Sequence, residues 1–230
     1  MMKIAIMQPY FLPYIGYWQL INAVDTFVIF DDVNFRKKSY IYRNFILSSG
    51  FSSQINLELY GASQNKLINE IEISSNFDKL LKTIFVNYKK APFFDVIFPI
   101  IENCLFCREK TLSKFLGYLL LNLSKYLGIN TNFIYSSDID KNNSNKGQKK
   151  LIDICNILNA TNYLNSINGI NLYSKEKFKQ NDIRLNFLET KFFEYKQFKN
   201  KFVPYLSIID VMMFNNKQQI ENLLQKYELK

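Results

Sequence analysis

The sequence predicts an α/β fold: a largely parallel, Rossmann-like sheet of the nucleotide-binding type with a helical middle layer. Three observations carry this expectation. Short apolar and alternating runs recur between stretches of helical periodicity along all 230 residues, the order in which parallel strands and their crossover helices occur. Residues 3–44, KIAIMQPYFLPYIGYWQLINAVDTFVIFDDVNFRKKSYIYRN, read as strand, Pro/Gly turn, helix and strand, a βαβ unit if the strands run parallel. Residues 77–128 are mainly of helical spacing and would form a separate layer or subregion within a single domain over 1–230.

Residues 3–7 are apolar and long enough for one buried strand, which Pro9 ends because it has no amide to donate. A turn with Pro13 and Gly16 leads into a helix whose Tyr17, Leu20, Ile21 and Val24 fall at i, i+3, i+4 and i+7. Asp25 closes it, and residues 26–30 form a second strand that stops at the paired acids Asp31 and Asp32. Residues 39–47 and 51–59 alternate around Ser48-Ser49-Gly50, and residues 67–73 read as a further strand. Helices are expected over 78–88, with caps at 74–76, and over 111–127, where Gly128 is a good stop. Beyond them come a strand at 132–135, a polar loop over 136–150 and a helix at 150–158. A strand at 162–164, a turn around Gly169, a short helix at 175–181 and strands at 183–188 and 192–195 follow. The chain closes with helices over 207–214 and 217–227.

Composition narrows the chemistry. With no His, triads, Cys-His dyads and His-bearing metal sites are excluded, so any acid or base must be Asp, Glu, Lys, Tyr, Cys or a substrate group. Three Cys is an odd count that argues against a disulfide framework, and Cys104-x-x-Cys107 with Cys155 lacks the ligands of a zinc site, so no metal is expected. A formal charge of +9 permits phosphate-bearing partners without choosing among nucleotide-sugars, nucleic acid and anionic membrane. The most apolar longer segment, 93–106, is broken by Asp95, Pro99, Glu102 and Asn103, so a cytoplasmic protein without membrane insertion is expected.

Ligands of open parallel sheets sit outside the carboxyl ends of the strands, where residues 8–17 and 31–44 would both lie. Two prolines stiffen the first segment, Gly16 permits close backbone approach, and Tyr10, Tyr14 and Tyr17 add hydroxyls and ring faces. Tyr14-Ile15-Gly16-Tyr17 has the shape of an H-x-G-H signature of nucleotidyltransferases and class I synthetases with both His replaced by Tyr. It favours the nucleotide-binding type of fold over nucleotidyl transfer, because the imidazoles are missing. Asp31 or Asp32 could serve as base, metal ligand or sugar-hydroxyl acceptor, or could cap the strand and pair with Arg36 or Lys37. Asp210, inside the apolar run Ser207-Ile208-Ile209-Asp210-Val211-Met212-Met213-Phe214, is either a buried hydrogen-bonded group or part of the site.

Four pieces together resemble the WbqC-like family: IAIMQPYFLPYIGYWQLINAVDTFVIFDDVNF at 4–35, YRN at 42–44, NYLNSINGINLY at 162–173 and FVPYLSIIDVMMFN at 202–215. They span nearly the whole chain in order. Some relatives carry His before the Gln-Pro pair where this chain has Met7. The resemblance implies a place in surface-polysaccharide (lipopolysaccharide O-antigen or capsule) biosynthesis. The task it implies is transfer of an acyl or aminoacyl group, such as glycyl, to the amine of a nucleotide-linked dideoxyamino sugar. The donor would be an aminoacyl-tRNA or an acyl thioester. In that reading Asp31, Asp32 and Asp210 are the catalytic candidates. Arg36, Lys37 and Arg43 bind phosphate, Tyr10, Tyr14 and Tyr17 stack or hydrogen-bond, and Gln8, Gly16, Asn34, Asn44 and Ser207 complete the substrate site. A nucleotidyltransferase-like enzyme and a non-catalytic RNA-binding or scaffold protein are the alternatives.

Overall fold

Strand β1 (Lys3–Met7), helix α1 (Ile15–Asn22) and strand β2 (Thr26–Ile29) form the opening unit, and β1 and β2 pair in parallel with Ile4 opposite Thr26. The computed structural model describes residues 1–199 and 201–230. A hairpin of β3 (Arg43–Ser48) and β4 (Phe51–Asn56) follows, then the short antiparallel pair β5 (Leu59–Tyr60) and β6 (Glu72–Ile73). Helices α2 (Asp78–Tyr88), α3 (Phe94–Leu105) and α4 (Leu112–Tyr126) come next. Strand β7 (Asn132–Tyr135), helix α5 (Gly147–Ile157), strand β8 (Asn162–Ser166), helix α6 (Lys175–Lys179) and strand β9 (Arg184–Thr190) resume the alternation. Helices α7 (Ile208–Phe214) and α8 (Lys217–Leu224) and strand β10 (Tyr227–Leu229) close the chain.

The central sheet has six strands in the order β10-β9-β8-β1-β2-β7, parallel throughout except for β10 against β9. The chain builds outward from β1 through β2 to β7, then returns to the other side of β1 for β8 and β9. Strand order therefore reverses between β1 and β8, and crossovers to either side leave a crevice there. Period-two alternation sorts the strand residues onto two faces. Ile4, Ile6, Val28, Tyr163, Leu185 and Phe187 pack with Leu151 and Ile154 of α5 and Phe178 of α6. Ala5, Phe27, Ile29, Leu164 and Leu188 face the larger core, which includes buried residues of α1, α4, α7 and α8. Residues of α2 and α3 join that same core, among them Ile84, Tyr88, Ile97 and Ile101. No helix among the described residues is long and apolar enough to cross a membrane.

Three expected elements differ. Residues 67–73 are a 3-10 turn followed by the two-residue β6, because the Glu70 side chain turns back to accept from the Leu67 amide at 2.8 Å. Residues 192–195 have no strand partner, since β10 occupies the free edge of β9 and the Lys191 amide already bonds the Lys226 carbonyl at 2.9 Å. The last helix stops at Leu224, and Tyr227, its expected last residue, instead opens β10. Gln19 donates to the carbonyls of Leu223 at 2.8 Å and Lys226 at 3.1 Å, so the end of α8 is satisfied by α1 and the chain is free to turn back.

Candidate active site: an aromatic cleft at the carboxyl edge of the sheet

A cleft of about 690 Å³ opens at the reversal of strand order. Its walls are Met7 at the end of β1, Ser166 at the end of β8 with Ile167 after it, residues 188–193 at and after the end of β9, the first turn of α1, and Phe202, Pro204, Tyr205 and Leu206. The size suits a small organic ligand.

Pro9 and Pro13 begin the definition of one wall, and side chains from distant elements finish it. Asn44 Nδ2 donates to the carbonyls of Phe11 and Leu12, each at 2.8 Å, and Ser207 Oγ donates to Leu12 at 2.7 Å. The Pro13 carbonyl accepts from Trp18 Nε1 and from the Ile208 amide, both at 3.0 Å. Leu12 sits at φ +44°, a left-handed conformation costly for a branched side chain, and this set of bonds over-determines it. Residues 8–14 are thus a preformed wall fastened by β3 and the N-terminus of α7. Asn44 and Ser207 shape the cleft chiefly by holding that wall.

Gly16 is required by its neighbour. A Cβ there would lie 2.1 Å from the Tyr14 hydroxyl, so the absence of a side chain lets the Tyr14 ring fold over the first turn of α1. The Tyr14 hydroxyl lies 3.0 Å from Thr190 Oγ1 at the end of β9, and Thr190 Oγ1 donates to Gln19 Oε1 at 2.7 Å. Both Gln19 amide protons go to backbone carbonyls, so its oxygen can only accept. Thr190 has one proton and gives it to Gln19. Tyr14 must therefore donate to Thr190, which leaves the Tyr14 oxygen with lone pairs for the cleft. Burial raises the Tyr14 phenol above its usual range, so the hydroxyl stays protonated at neutral pH. Tyr17 is similarly committed, donating to the Gln8 carbonyl at 2.8 Å.

The three candidate carboxylates do not line this cleft. Asp31 is wholly buried and accepts from the Ser137 amide at 3.0 Å and the Ser137 hydroxyl at 2.9 Å; burial raises it, against those bonds. One oxygen of Asp32 receives both Lys141 Nζ at 2.8 Å and Lys150 Nζ at 2.9 Å, with the lysine side chains 1% and 8% exposed. Burial alone would raise Asp32, but the bonds from Lys141 and Lys150 outweigh it and hold the carboxyl below its usual range. Asp210 accepts from Tyr88 at 2.9 Å, Tyr195 at 2.7 Å and Gln197 at 2.6 Å, and burial raises it. Its bonds join α2, α7 and the segment after β9. Of the three, only Asp210 reaches the cleft at one remove, because Tyr195 lines it.

Tyr10, Tyr14, Gly16, Tyr17 and Asn44 all line the cleft, and the others lie outside its lining. Gln8 serves through its carbonyl. Arg36 is exposed; burial raises the phenols of Tyr10 and Tyr173, and the Arg36 charge acts against that rise. Lys37 is exposed, Asn34 donates to the Gln64 carbonyl at 2.9 Å, and Arg43 bonds the Lys38 carbonyl. Sequence reasoning missed Gln19, Thr190, Tyr195, Phe192 and Tyr205. Gln19 had a signal, a polar residue inside the apolar face of α1, whereas Thr190 becomes visible only once β9 is set beside α1. No group of three or more His, Cys, Asp or Glu gathers to hold a metal among the described residues.

No solved structure matches the chain. A curated relative, the uncharacterized protein Rv1507c of Mycobacterium tuberculosis, is 27% identical over 220 residues, 94% of each chain. The WbqC-like protein family matches residues 8–222, a span that holds the clamped wall, the Tyr14–Thr190–Gln19 chain and every strand of the sheet but β1 and β10; the protein belongs to the WbqC-like protein family.

Proposed function

We propose that this protein is a transferase that adds an acyl or aminoacyl group, glycyl among the candidates, to the amine of a nucleotide-linked dideoxyamino sugar in surface-polysaccharide biosynthesis. Family membership supports the pathway, and a mostly parallel sheet with a crevice where its strand order reverses suits a nucleotide-linked substrate. The observation that carries the chemistry is the Tyr14 oxygen. Its proton is committed to Thr190, so it offers the cleft an acceptor, and an amine is a donor. Tyr10 and Tyr17 supply ring faces for a base or a sugar.

In this reading Tyr14 accepts one N–H of the neutral amine and turns the nitrogen lone pair toward the donor carbonyl. A carbon–nitrogen bond forms while the ester C–O or thioester C–S bond of the donor breaks. The proton lost from nitrogen leaves on the oxygen or sulfur of the carrier, so the step balances without a protein carboxylate in the cleft. The first-turn amides of α1, at Ile15 and Gly16, have no intrahelical acceptor by helix geometry and suit the oxyanion. Asp210 takes part by holding Tyr195 in the wall.

Incubation with nucleotide-linked 4-amino and 3-amino sugars, together with charged tRNA or acyl thioesters, tests the reading through the mass of the sugar product. The expected result is a gain of one acyl group on the amine. If no donor raises the mass of either sugar, the transferase reading fails; release of pyrophosphate from a nucleoside triphosphate would point to nucleotidyl transfer instead.

A further inference from the structure

The two loops that bring exposed rings to the mouth of the cleft also hold basic residues, and amine recognition leaves both unused. On one side, residues 33–57 contain Arg36, Lys37, Lys38 and Arg43 and no acid. Tyr40 lines the cleft there while 48% exposed. On the other side, residues 191–205 read KFFEYKQFKNKFVPY, aromatic and basic residues interleaved with a single acid. Phe192 and Tyr205 line the cleft with 72% and 73% of their surface in water. Lys196, Lys199 and Lys201 are exposed and make no ion pair among the described residues, as is true of Arg36, Lys37 and Lys38. Large rings left in water around a concavity are unfavourable unless a ligand covers them.

We infer that this mouth binds single-stranded RNA, with bases stacked on Phe192, Tyr205 and Tyr40 and phosphates on the two basic loops. Three features select that occupant. Separate rings flanked by cations match the alternation of bases and phosphates along an unpaired strand, whereas a duplex hides its base faces. The rings surround a cavity, which a flat membrane surface could not fill. Tyrosine hydroxyls and Ser166 behind the mouth suit a ribose that carries a 2′-hydroxyl. Binding stands on the mouth alone; that the strand delivers the acyl group rests on the transferase reading above, of which it names the donor class.

Fluorescence anisotropy with a labelled single-stranded RNA 12-mer, the same sequence as DNA, and an RNA duplex of equal length tests this. The full chain should bind the single-stranded RNA at least tenfold more tightly than the duplex, and more tightly than the DNA. Phe192→Ala with Tyr205→Ala should lose tenfold or more while leaving the salt slope unchanged. Arg36→Glu with Lys38→Glu should flatten that slope, by about 0.7 for each phosphate no longer neutralised. Failure to bind, equal binding of the duplex, equal binding of the DNA, or indifference to removal of the two rings would each overturn the inference. RNA binding together with no acylation of any sugar would leave the mouth assigned and the transferase reading refuted.

Discussion

Two ends of one sheet edge can be set side by side. At the carboxyl ends of β2 and β7, Asp31 and Asp32 are closed over by Ser137, Lys141 and Lys150. At the ends of β1, β8 and β9, the same edge stays open as a cleft of about 690 Å³ lined by tyrosines. The difference lies in what the following loop brings. Residues 136–150 deliver two ammonium groups to one oxygen of Asp32, which closes that end. The segment after β9 delivers aromatic rings, and the hydroxyl it meets, Tyr14, keeps its lone pairs for a ligand.

The largest effect should come from breaking the closed end. Asp32→Ala leaves two lysines buried without a counter-ion and should cost about 3–5 kcal/mol in urea unfolding. A variant as stable as the parent but inactive would instead make Asp32 a reacting group. Next in size is Tyr88→Phe, which strips a donor from Asp210 and the acceptor from the Leu47 amide. It should cost about 1–3 kcal/mol, read in the same way. Smaller still is Gly16→Ala at the open end. The added methyl displaces the far end of the Tyr14 ring, so ligand binding should weaken while stability falls by about 1 kcal/mol.

The smallest effect is a difference in sign with pH. Asp32 is held below its ordinary value, so the stability it contributes is full above the unfolded-chain value and is lost as pH falls through the folded one. Asp210 is raised by burial, so its contribution is full below the unfolded-chain value and is lost as pH rises through the folded one. Unfolding at about pH 4 and about pH 7 should therefore show the parent gaining on Asp32→Asn and losing ground to Asp210→Asn as pH rises. Parallel curves for the two variants would remove the contrast between the two carboxylates.

Much of the sheet was legible because its strands are short apolar runs bounded by Pro, Gly and Asp, and β7 falls on its expected residues, Asn132–Tyr135. The wall of the cleft was legible for the same local reason: prolines and Gly16 announce a constrained turn. Residues whose meaning depends on a distant partner were not. Lys141 lies in a polar loop that says nothing of Asp32, more than a hundred residues earlier, and side chains of both signs near Asp31 looked equally free in sequence. Residues 192–195 alternate like a strand, and only the return of β10 to the edge of β9 denies them a partner.

The central claim is that the open end recognises an amine through the Tyr14 oxygen. Calorimetric titration with a nucleotide-linked 4-amino sugar and its 4-deoxy counterpart, which has no donor at that carbon, on the parent and on Tyr14→Phe, tests it most directly. The parent should bind the amine at least tenfold more tightly, and Tyr14→Phe should reduce that preference severalfold or more. Equal affinity of the parent for the two sugars, or a preference untouched in the variant, would contradict it.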